Sequence, residues 1–252
     1  MPNHNSAVVE ARPRFRNTIL SQIPEAEYAP LEKFLVPVDL PLTKQLSEPN
    51  RPIDYVYFPN SGLISTDALT AKGETVEVGL IGREGFSGLP ALFDQPQMTH
   101  AVMMQGAGEG LRLRSTILRD QFLKGGVLRD IIHRFAYLQL VQITQSVLCN
   151  RVHEVDARLA RWLLASADRT ESESLQLTQE FLAQMLGVQR STVTVAAGGF
   201  QQRRLISYSR GRIEILDRSG LTAVACECYQ IVRSSYDRLL QPGPDGLLRY
   251  VV

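Results

Sequence analysis

The first half of the chain is built of short segments in which apolar and polar residues alternate, separated by Gly, Pro and Asn. A turn at residues 71–74 joins two of these segments in the manner of a hairpin. Several short strands at a spacing of ~8–12 residues are typical of a β-sandwich or barrel. The pattern therefore predicts a β-domain. The predicted strands are residues 54–58, 63–69, 75–80, 101–105 and 111–114.

The period becomes helical at Ser115, and Gly125-Gly126 separates a short helix from a long one at about residues 126–151. The long helix carries two apolar stripes, whereas a helix buried on one side needs only one. We therefore predict that it packs on its own β-domain and on a second copy of the chain, the alternative being the central helix of a monomeric core. The stripe assigned to the dimer interface is Leu128, Ile131, Phe135 and Leu138, and the second stripe is Ile132, Ala136, Leu140, Ile143 and Val147.

Residues 178–194 form a helix-turn-helix pattern. Thr178 can cap a first helix, and Gly187 can adopt the positive φ that ends it. A second helix is predicted at about residues 189–203, with Val193, Ala197 and Phe200 facing inward. The N-terminal end of such a recognition helix enters the major groove of DNA. Gly198 and Gly199 are unfavourable inside a helix, and we expect close packing against a neighbouring helix to be the reason.

Residues 205–216 predict a two-stranded wing after this helix. Between Gly187 and Arg218 there are six arginines and two acidic residues, a net charge of +4, whereas the whole chain carries +1. Positive charge is thus concentrated where DNA binding would need it. Motif, wing and local charge together favour a DNA-binding domain over an ordinary pair of helices.

The composition fits this reading and excludes others. A chain of 252 residues with 44% hydrophobic residues can form two compact domains. No apolar run approaches the ~20 residues of a membrane helix. Residues 1–16 are predicted to be a polar, loose tail without the apolar centre of a secretory signal, so we expect a cytoplasmic protein without membrane contact.

The cysteines and histidines predict no metal site. There are three cysteines and four scattered histidines, and no C-x-x-C pair. Residues 219–240 predict one extra C-terminal helix, on which Cys226 and Cys228 would point ~200° apart and serve as packing residues. The sequence shows no nucleophile–base arrangement and no Walker loop. We therefore predict neither a cofactor nor an enzyme.

The sequence resembles the Crp/Fnr superfamily of bacterial transcription regulators from about Phe34 to Leu216. The resemblance is most specific in residues 177–216, at Leu-Thr-Gln-Glu, Leu-Gly-Val, Arg-x-Thr-Val and Arg-Gly-Arg-Ile. It is weaker in Gly-Arg-Glu-Gly-Phe-Ser-Gly at 82–88. It implies an α+β fold: a cyclic-nucleotide-binding-like β-roll (jelly roll) over 17–125, a dimerisation helix over 126–151 and a winged helix-turn-helix over 152–252.

The resemblance also implies the residues that meet DNA. Arg190 matches the family's guanine-reading arginine, but Ser191 and Val195 replace an acid and a second arginine, so we expect a different operator. Gln189 is a poor helix cap where the family often has Ser. The DNA-binding residues assigned in this way are Thr178, Gln189, Arg190, Ser191, Thr192, Thr194, Val195, Arg204, Arg210 and Arg212.

The family's cyclic-nucleotide pocket is degenerate in this chain. Leu89 stands where the ribose-binding glutamate is expected, and Pro90 follows it without an amide to donate. Thr99-His100 replaces the Arg-Ser pair that neutralises the phosphate, which is costly to bury without a cation. We therefore expect no cyclic-AMP binding by the usual mode. The predicted remnant of the effector pocket is Arg83, Gly88, Leu89, Pro90, Thr99 and His100.

The leading hypothesis is a homodimeric regulator that reads a pseudo-palindromic operator in double-stranded DNA. The main alternative is a sensor whose primary activity is binding a small molecule, such as a nucleotide or another anion. A further alternative is action through RNA polymerase, with the β-domain as a docking platform.

Overall fold

The computed structural model describes residues 16–240, so most of the predicted tail and the last twelve residues of the predicted DNA-binding domain lie outside the described residues. The described chain begins with two short helices that lie against the β-domain. The buried side chain of Asn17 accepts the N–H of Leu20 at 3.2 Å and donates to the carbonyl oxygens of Pro59 and Gly85 at 3.1 and 2.8 Å. One side chain therefore caps the first helix and fixes it to the β-domain. The helices are α1 (Thr18–Ser21) and α2 (Glu25–Glu32).

Seven strands form two antiparallel sheets. One sheet has the order β1-β7-β3 and the other the order β2-β6-β4-β5. The hairpin predicted around residues 71–74 is present as β4 and β5, and Gly73 takes the positive φ of 83° in its turn. The strands are β1 (Val36–Leu40), β2 (Gln45–Ser47), β3 (Tyr55–Pro59), β4 (Leu63–Leu69), β5 (Thr75–Ile81), β6 (Ala101–Gly106) and β7 (Gly108–Arg114), with a 3₁₀ helix at Leu89–Phe93.

Two helices follow, α3 (Ser115–Lys124) and the long α4 (Val127–Val152). Gly125 and Gly126 both have positive φ, 88° and 87°, which lets the chain reverse between the helices. The carboxylate of Glu27 then accepts the N–H groups of Val127 and Leu128 at 2.9 and 2.8 Å. An anion at this end satisfies two otherwise unpaired N–H groups and complements the helix dipole.

The stripe that the sequence assigned to the dimer interface faces the β-domain instead. Leu128, Ile131, Phe135 and Leu138 are at most 1% exposed within the single chain. The ring of Phe135 lies 5.3 Å from that of Phe86, which stacks on Phe58. The assignment of these four residues to a dimer interface is therefore wrong, because two-stripe periodicity does not say which stripe meets which neighbour.

Residues 153–240 are mainly helical and include a third antiparallel sheet with the order β8-β10-β9. Leu159, Trp162, Leu182, Phe200 and Ile213 belong to their separate apolar core. The elements are α5 (Val155–Thr170), β8 (Ser174–Gln176), α6 (Gln179–Leu186), α7 (Arg190–Gln202), β9 (Ile206–Ser209), β10 (Arg212–Ile215), α8 (Arg218–Val224) and α9 (Cys228–Leu240).

The predicted single C-terminal helix is two helices. Asp217 accepts the N–H of Gly220 at 2.9 Å to cap α8, and α8 ends at Val224 because Ala225 takes an extended conformation. After the break, α9 packs along α4 and reaches back to the first helix, where Gln22 Nε2 donates to the carbonyl oxygen of Leu240 at 2.6 Å. Among the described residues no helix has the length and apolar character to cross a membrane.

Candidate nucleic-acid interface

The helix-turn-helix is formed by α6 and α7. The Thr178 hydroxyl accepts the N–H of Phe181 at 3.1 Å, so Thr178 caps α6 as its residue type predicts. Gly187 ends α6 with φ of 61°, and its N–H donates to the carbonyl oxygen of Gln184 at 3.1 Å. Val188 N–H donates to the carbonyl oxygen of Ala183 at 3.0 Å, which closes the tight turn. This turn sets the direction in which α7 leaves.

The two sides of α7 differ sharply. Its inner side consists of Val193, Ala196, Ala197 and Phe200, each at most 3% exposed. The outer residues of its N-terminal half are all exposed, and Val195 is 75% exposed. A large apolar side chain with that exposure can contact the methyl group of thymine. These exposed residues are Gln189, Arg190, Ser191, Thr192, Thr194 and Val195.

Two of these side chains also contact α6. The Thr194 hydroxyl lies 2.8 Å from Gln179 Oε1 and 3.0 Å from the carbonyl oxygen of Arg190, so it has acceptors within the protein. Gln179, which the sequence did not single out, therefore lies beside the recognition helix. Arg190 Nη1 lies 3.9 Å from Glu180 Oε2, with both side chains exposed. Such an exposed pair is weak and leaves the guanidinium group able to bind another acceptor.

The start of α7 has no side-chain cap. Gln189 occupies the cap position and makes no capping hydrogen bond. The first N–H groups of α7 therefore lack the acceptor that Ser or Asp would supply. A phosphate oxygen can accept such N–H groups, which makes this end suited to a DNA backbone.

The wing is the hairpin of β9 and β10, extended by β8. Arg210 and Gly211 at its tip both have positive φ, 49° and 76°, as the two-residue turn of a tight hairpin requires. The N–H of Leu177 donates to the carbonyl oxygen of Gly211 at 2.7 Å, which fixes the tip next to the beginning of α6. Arg210 and Arg212 are exposed, and Arg212 Nε donates to Ser174 Oγ at 2.7 Å.

The six arginines of this region are not equivalent. Arg218 pairs with Asp168 and with Glu173, so it stabilises the domain and is not free for DNA. In contrast, Arg203, Arg204 and Arg210 are exposed and have no ion-pair partner among residues 16–240. The available positive charge is therefore smaller than the count of +4 indicated, and it lies at the end of α7 and on the wing.

The residues predicted to remain from an effector pocket are not all brought together. Arg83 pairs with Glu171 at the end of α5, whereas Gly88 packs on the β-domain with φ of 95°. Leu89 packs against the β-domain core, and Pro90 follows it in the 3₁₀ helix. Thr99 Oγ1 lies 3.4 Å from His100 Nδ1, and burial lowers the pKa of His100. Grouping Arg83 with the other five was wrong, because its side chain turns toward α5.

A cavity of about 310 Å³ lies between β5, α4, α5 and α9. Arg83 lines it, whereas Gly88, Leu89, Pro90, Thr99 and His100 do not. Its other polar lining includes Glu77, Gln142, Arg161, Arg169 and Tyr236.

Glu77 is the most perturbed acid in this region. Trp162 Nε1 donates to Glu77 Oε1 at 2.9 Å, and burial raises the pKa of Glu77 to about 8. Burial likewise raises the pKa of nearby Asp67 to about 6. This cavity could not be read from the sequence, because Glu77 occupies a polar position of an alternating strand, where an exposed side chain is expected.

Three cysteines and one histidine that are scattered along the sequence lie together in the structure. Cys149, His153, Cys226 and Cys228 place their ligand atoms within 4.8 Å of one another. Their convergence differs from the expectation, because the helical periodicity of residues 219–240 predicts Cys226 and Cys228 on one continuous helix. In the structure Cys226 lies in the break between α8 and α9, and Cys228 is the first residue of α9.

Comparison with known proteins agrees with this geometry. Residues 157–224 match the Crp-like helix-turn-helix domain. The chain is 27% identical over 183 residues to the transcriptional regulator SdrP of Thermus thermophilus, covering 69% of this chain and 85% of that protein.

Solved structures share the fold. A transcriptional regulator of the Crp/Fnr family from Eubacterium rectale matches with a TM-score of 0.64 at 17% identity, covering 80% of this chain and 94% of that one. FixK2 of Bradyrhizobium japonicum matches with a TM-score of 0.63 at 14% identity, covering 76% and 98%.

Proposed function

We propose that the chain is a DNA-binding transcription regulator of the Crp/Fnr type, which acts as a cytoplasmic homodimer and reads a pseudo-palindromic operator through α7. The observation that carries this proposal is the exposed N-terminal half of α7, uncapped at Gln189, in a domain whose wing carries the exposed Arg210 and Arg212. Uncapped N–H groups suit phosphate oxygens, and side chains at this end of a recognition helix reach base edges.

Arg190 is the proposed reader of a guanine. Its side chain is 65% exposed on the first turn of α7, and its forked donors can bind O6 and N7 of guanine together. Arg204, Arg210 and Arg212 would instead contact phosphates, together with the N-terminal end of α6 at Thr178. Arg190 therefore supplies specificity in this scheme, and the wing supplies affinity that depends on salt.

Fluorescence anisotropy with DNA from upstream of the chain's own coding region tests this assignment. Arg190→Ala should weaken binding to that site by about 1–3 kcal/mol and relax the preference at one base position. Arg210→Ala should weaken all sequences similarly and lower the salt slope by about one. Arg51→Ala, an exposed arginine of the β-domain, is the matched control and should bind as the wild type does. Uniform weakening by Arg190→Ala would make Arg190 a phosphate contact and refute its proposed role.

The proposed dimer interface is the exposed apolar stripe of α4. The predicted stripe is buried against the β-domain, and a second set of apolar side chains on α4 is left exposed. Most of its members are three or four residues apart, which keeps them on one side of the helix. Leu140 is 64% exposed and Val147 65% exposed. Such a stripe is expected to be covered by a second copy across a two-fold axis. The exposed stripe consists of Tyr137, Leu140, Ile143, Val147, Leu148 and Val152.

Sedimentation velocity at micromolar concentration tests this interface. Leu140→Asp should shift a dimer toward monomer, because the interface would bury an unpaired charge. Leu123→Asp, at a residue 59% exposed on α3, is the matched control and should leave the dimer unchanged. A wild-type monomer, or equal dissociation in both variants, would contradict the proposed interface.

A second candidate function is ligand sensing at the cavity between β5, α5 and α9. Its volume of about 310 Å³ and its convergent polar groups suit a small polar molecule. Leu89 and Pro90 do not line this cavity, and they lack the groups that the family's usual mode of cyclic-AMP binding requires, so we expect no cyclic AMP in that mode. Titration calorimetry with cyclic AMP and cyclic GMP tests this last point, since micromolar binding of either would contradict it. Mass spectrometry of the natively purified protein would identify a retained ligand.

A further inference from the structure

The strongest feature that the proposed function does not use is the cluster of Cys149, His153, Cys226 and Cys228. Cys149 and Cys228 are fully buried, Cys226 is 8% exposed, and the His153 side chain is 18% exposed. The cluster lies where the C-terminal end of α4 meets the break between α8 and α9. It thus joins the long helix to the segment that follows the wing.

The ligand atoms converge with the spacing of a single tetrahedral ion. Cys149 Sγ lies 3.5 Å from Cys226 Sγ, and Cys228 Sγ lies 3.7 Å from His153 Nδ1. Zinc bonds of about 2.3 Å to sulfur and 2.0–2.1 Å to nitrogen, set at tetrahedral angles, separate such ligands by about 3.5–3.8 Å. No two ligand atoms of the cluster are more than 4.8 Å apart, so the side chains need to move only slightly closer to coordinate one ion.

The backbone explains why these residues converge. Cys149 and His153 are four residues apart at the end of α4, so they lie on one side of the helix. The N–H of His153 donates to the carbonyl oxygen of Cys149 at 3.2 Å, which keeps that last turn intact. Cys226 and Cys228 turn toward the same point because α8 ends at Val224.

The surroundings of His153 also suit a metal ligand. With Nδ1 facing the sulfur atoms, His153 Nε2 lies 3.2 Å from Glu227 Oε1. Metal-bound histidines commonly donate their other ring N–H to a carboxylate, which fixes the tautomer and orientation. Three thiolates around Zn²⁺ leave one negative charge, and Arg158 and Arg161 are close enough to act electrostatically on Cys149.

We propose that Cys149, His153, Cys226 and Cys228 form a tetrahedral zinc site that clamps the end of α4 to the α8–α9 break. Each cysteine that enters as a thiol releases its proton to solvent when it binds, so metal affinity falls as pH falls. All four positions are occupied by protein ligands, which is the arrangement of a structural site. A disulfide between Cys149 and Cys226 is the competing use of the same atoms.

Cobalt substitution tests the proposal in the full-length protein. The chain is purified without oxygen, stripped with a chelator and titrated with Co²⁺. One equivalent should give the visible bands of tetrahedral cobalt and a thiolate-to-cobalt charge-transfer band, and Zn²⁺ should remove both. Cys149→Ser and Cys226→Ser should weaken the charge-transfer band, whereas the control His133→Gln on α4 should match the wild type.

Glu227→Gln is a second test variant that should fold normally, because this side chain is 65% exposed. It should bind Co²⁺ about 10- to 100-fold more weakly while keeping the same bands. Zinc should also raise the thermal midpoint of the wild type but not of Cys149→Ser. A folded wild-type chain without tetrahedral cobalt bands, or a Cys149–Cys226 disulfide in the anaerobic protein, would overturn the proposal.

Discussion

Gly198 and Gly199 should destabilise the recognition helix, and no close packing contact compensates for this cost. Both lie inside α7, outside the left-handed region of φ, and a Cβ added at either position meets nothing within 4 Å. Glycine in a helix interior costs about 0.8–1.0 kcal/mol relative to alanine, so Gly198→Ala and Gly199→Ala should each stabilise the chain by about that amount. Together they should add about 2 kcal/mol, provided that the two effects are additive.

Urea unfolding followed by circular dichroism measures this change. Each single substitution should raise the unfolding midpoint without changing the slope. The matched control is Gly85→Ala, whose added Cβ would collide with the ring of Phe135 and should therefore destabilise the chain. Loss of stability in Gly198→Ala or Gly199→Ala would refute the reasoning, because it would mean that an atom not seen in the single chain occupies that space.

Three further changes test other parts of the structure. The pKa of Glu77 is about 8 in the folded chain, against an ordinary value of 4.5, so the folded chain keeps a proton that the unfolded chain releases. The stability of the wild type should therefore fall as the pH rises from about 4.5 to 8, and Glu77→Gln should flatten this dependence. A wild-type urea midpoint that rises over this range would contradict that sign. Glu27→Ala should cost about 1–2 kcal/mol in thermal unfolding by removing the cap of α4, whereas the exposed Glu32→Ala should cost little. Gly187→Ala should cost about 1–2 kcal/mol, because φ is 61° there, and an unchanged midpoint would rule out that strain.

The sequence was most informative for elements that are determined by residues close to one another in the chain. The cap at Thr178, the turn at Gly187 and the periodic inner side of α7 depend on neighbouring residues, so the helix-turn-helix could be placed closely. The hairpin of β4 and β5 was similarly visible from alternation and a glycine turn. The pairing of strands that are distant in sequence, such as β1 with β7, cannot be inferred from local alternation.

Other features depend on contacts that sequence spacing does not specify. The apolar character of α4 on two sides was visible, but Ile132 of the predicted second stripe is buried in the β-domain core, whereas Leu140 and Val147 are exposed. Which residues meet the β-domain depends on the position of Phe86 and Phe58. The break after Val224 lies in a segment with helical periodicity, so the convergence of Cys226 and Cys228 could not be foreseen. The positive charge that is free to bind DNA could not be obtained by counting charged residues in 187–218, because the acidic partners of Arg218 lie about 50 residues away in sequence.

Hydroxyl-radical footprinting on the upstream DNA tests the central claim most directly. A dimer that inserts α7 of each subunit into successive major grooves should protect two patches about 10–10.5 base pairs apart, related by an approximate palindrome. Protection should disappear in Arg190→Ala at moderate salt and persist in Arg51→Ala. A single protected patch, or no protection at moderate salt, would contradict the account of this chain as a homodimer that reads DNA through α7.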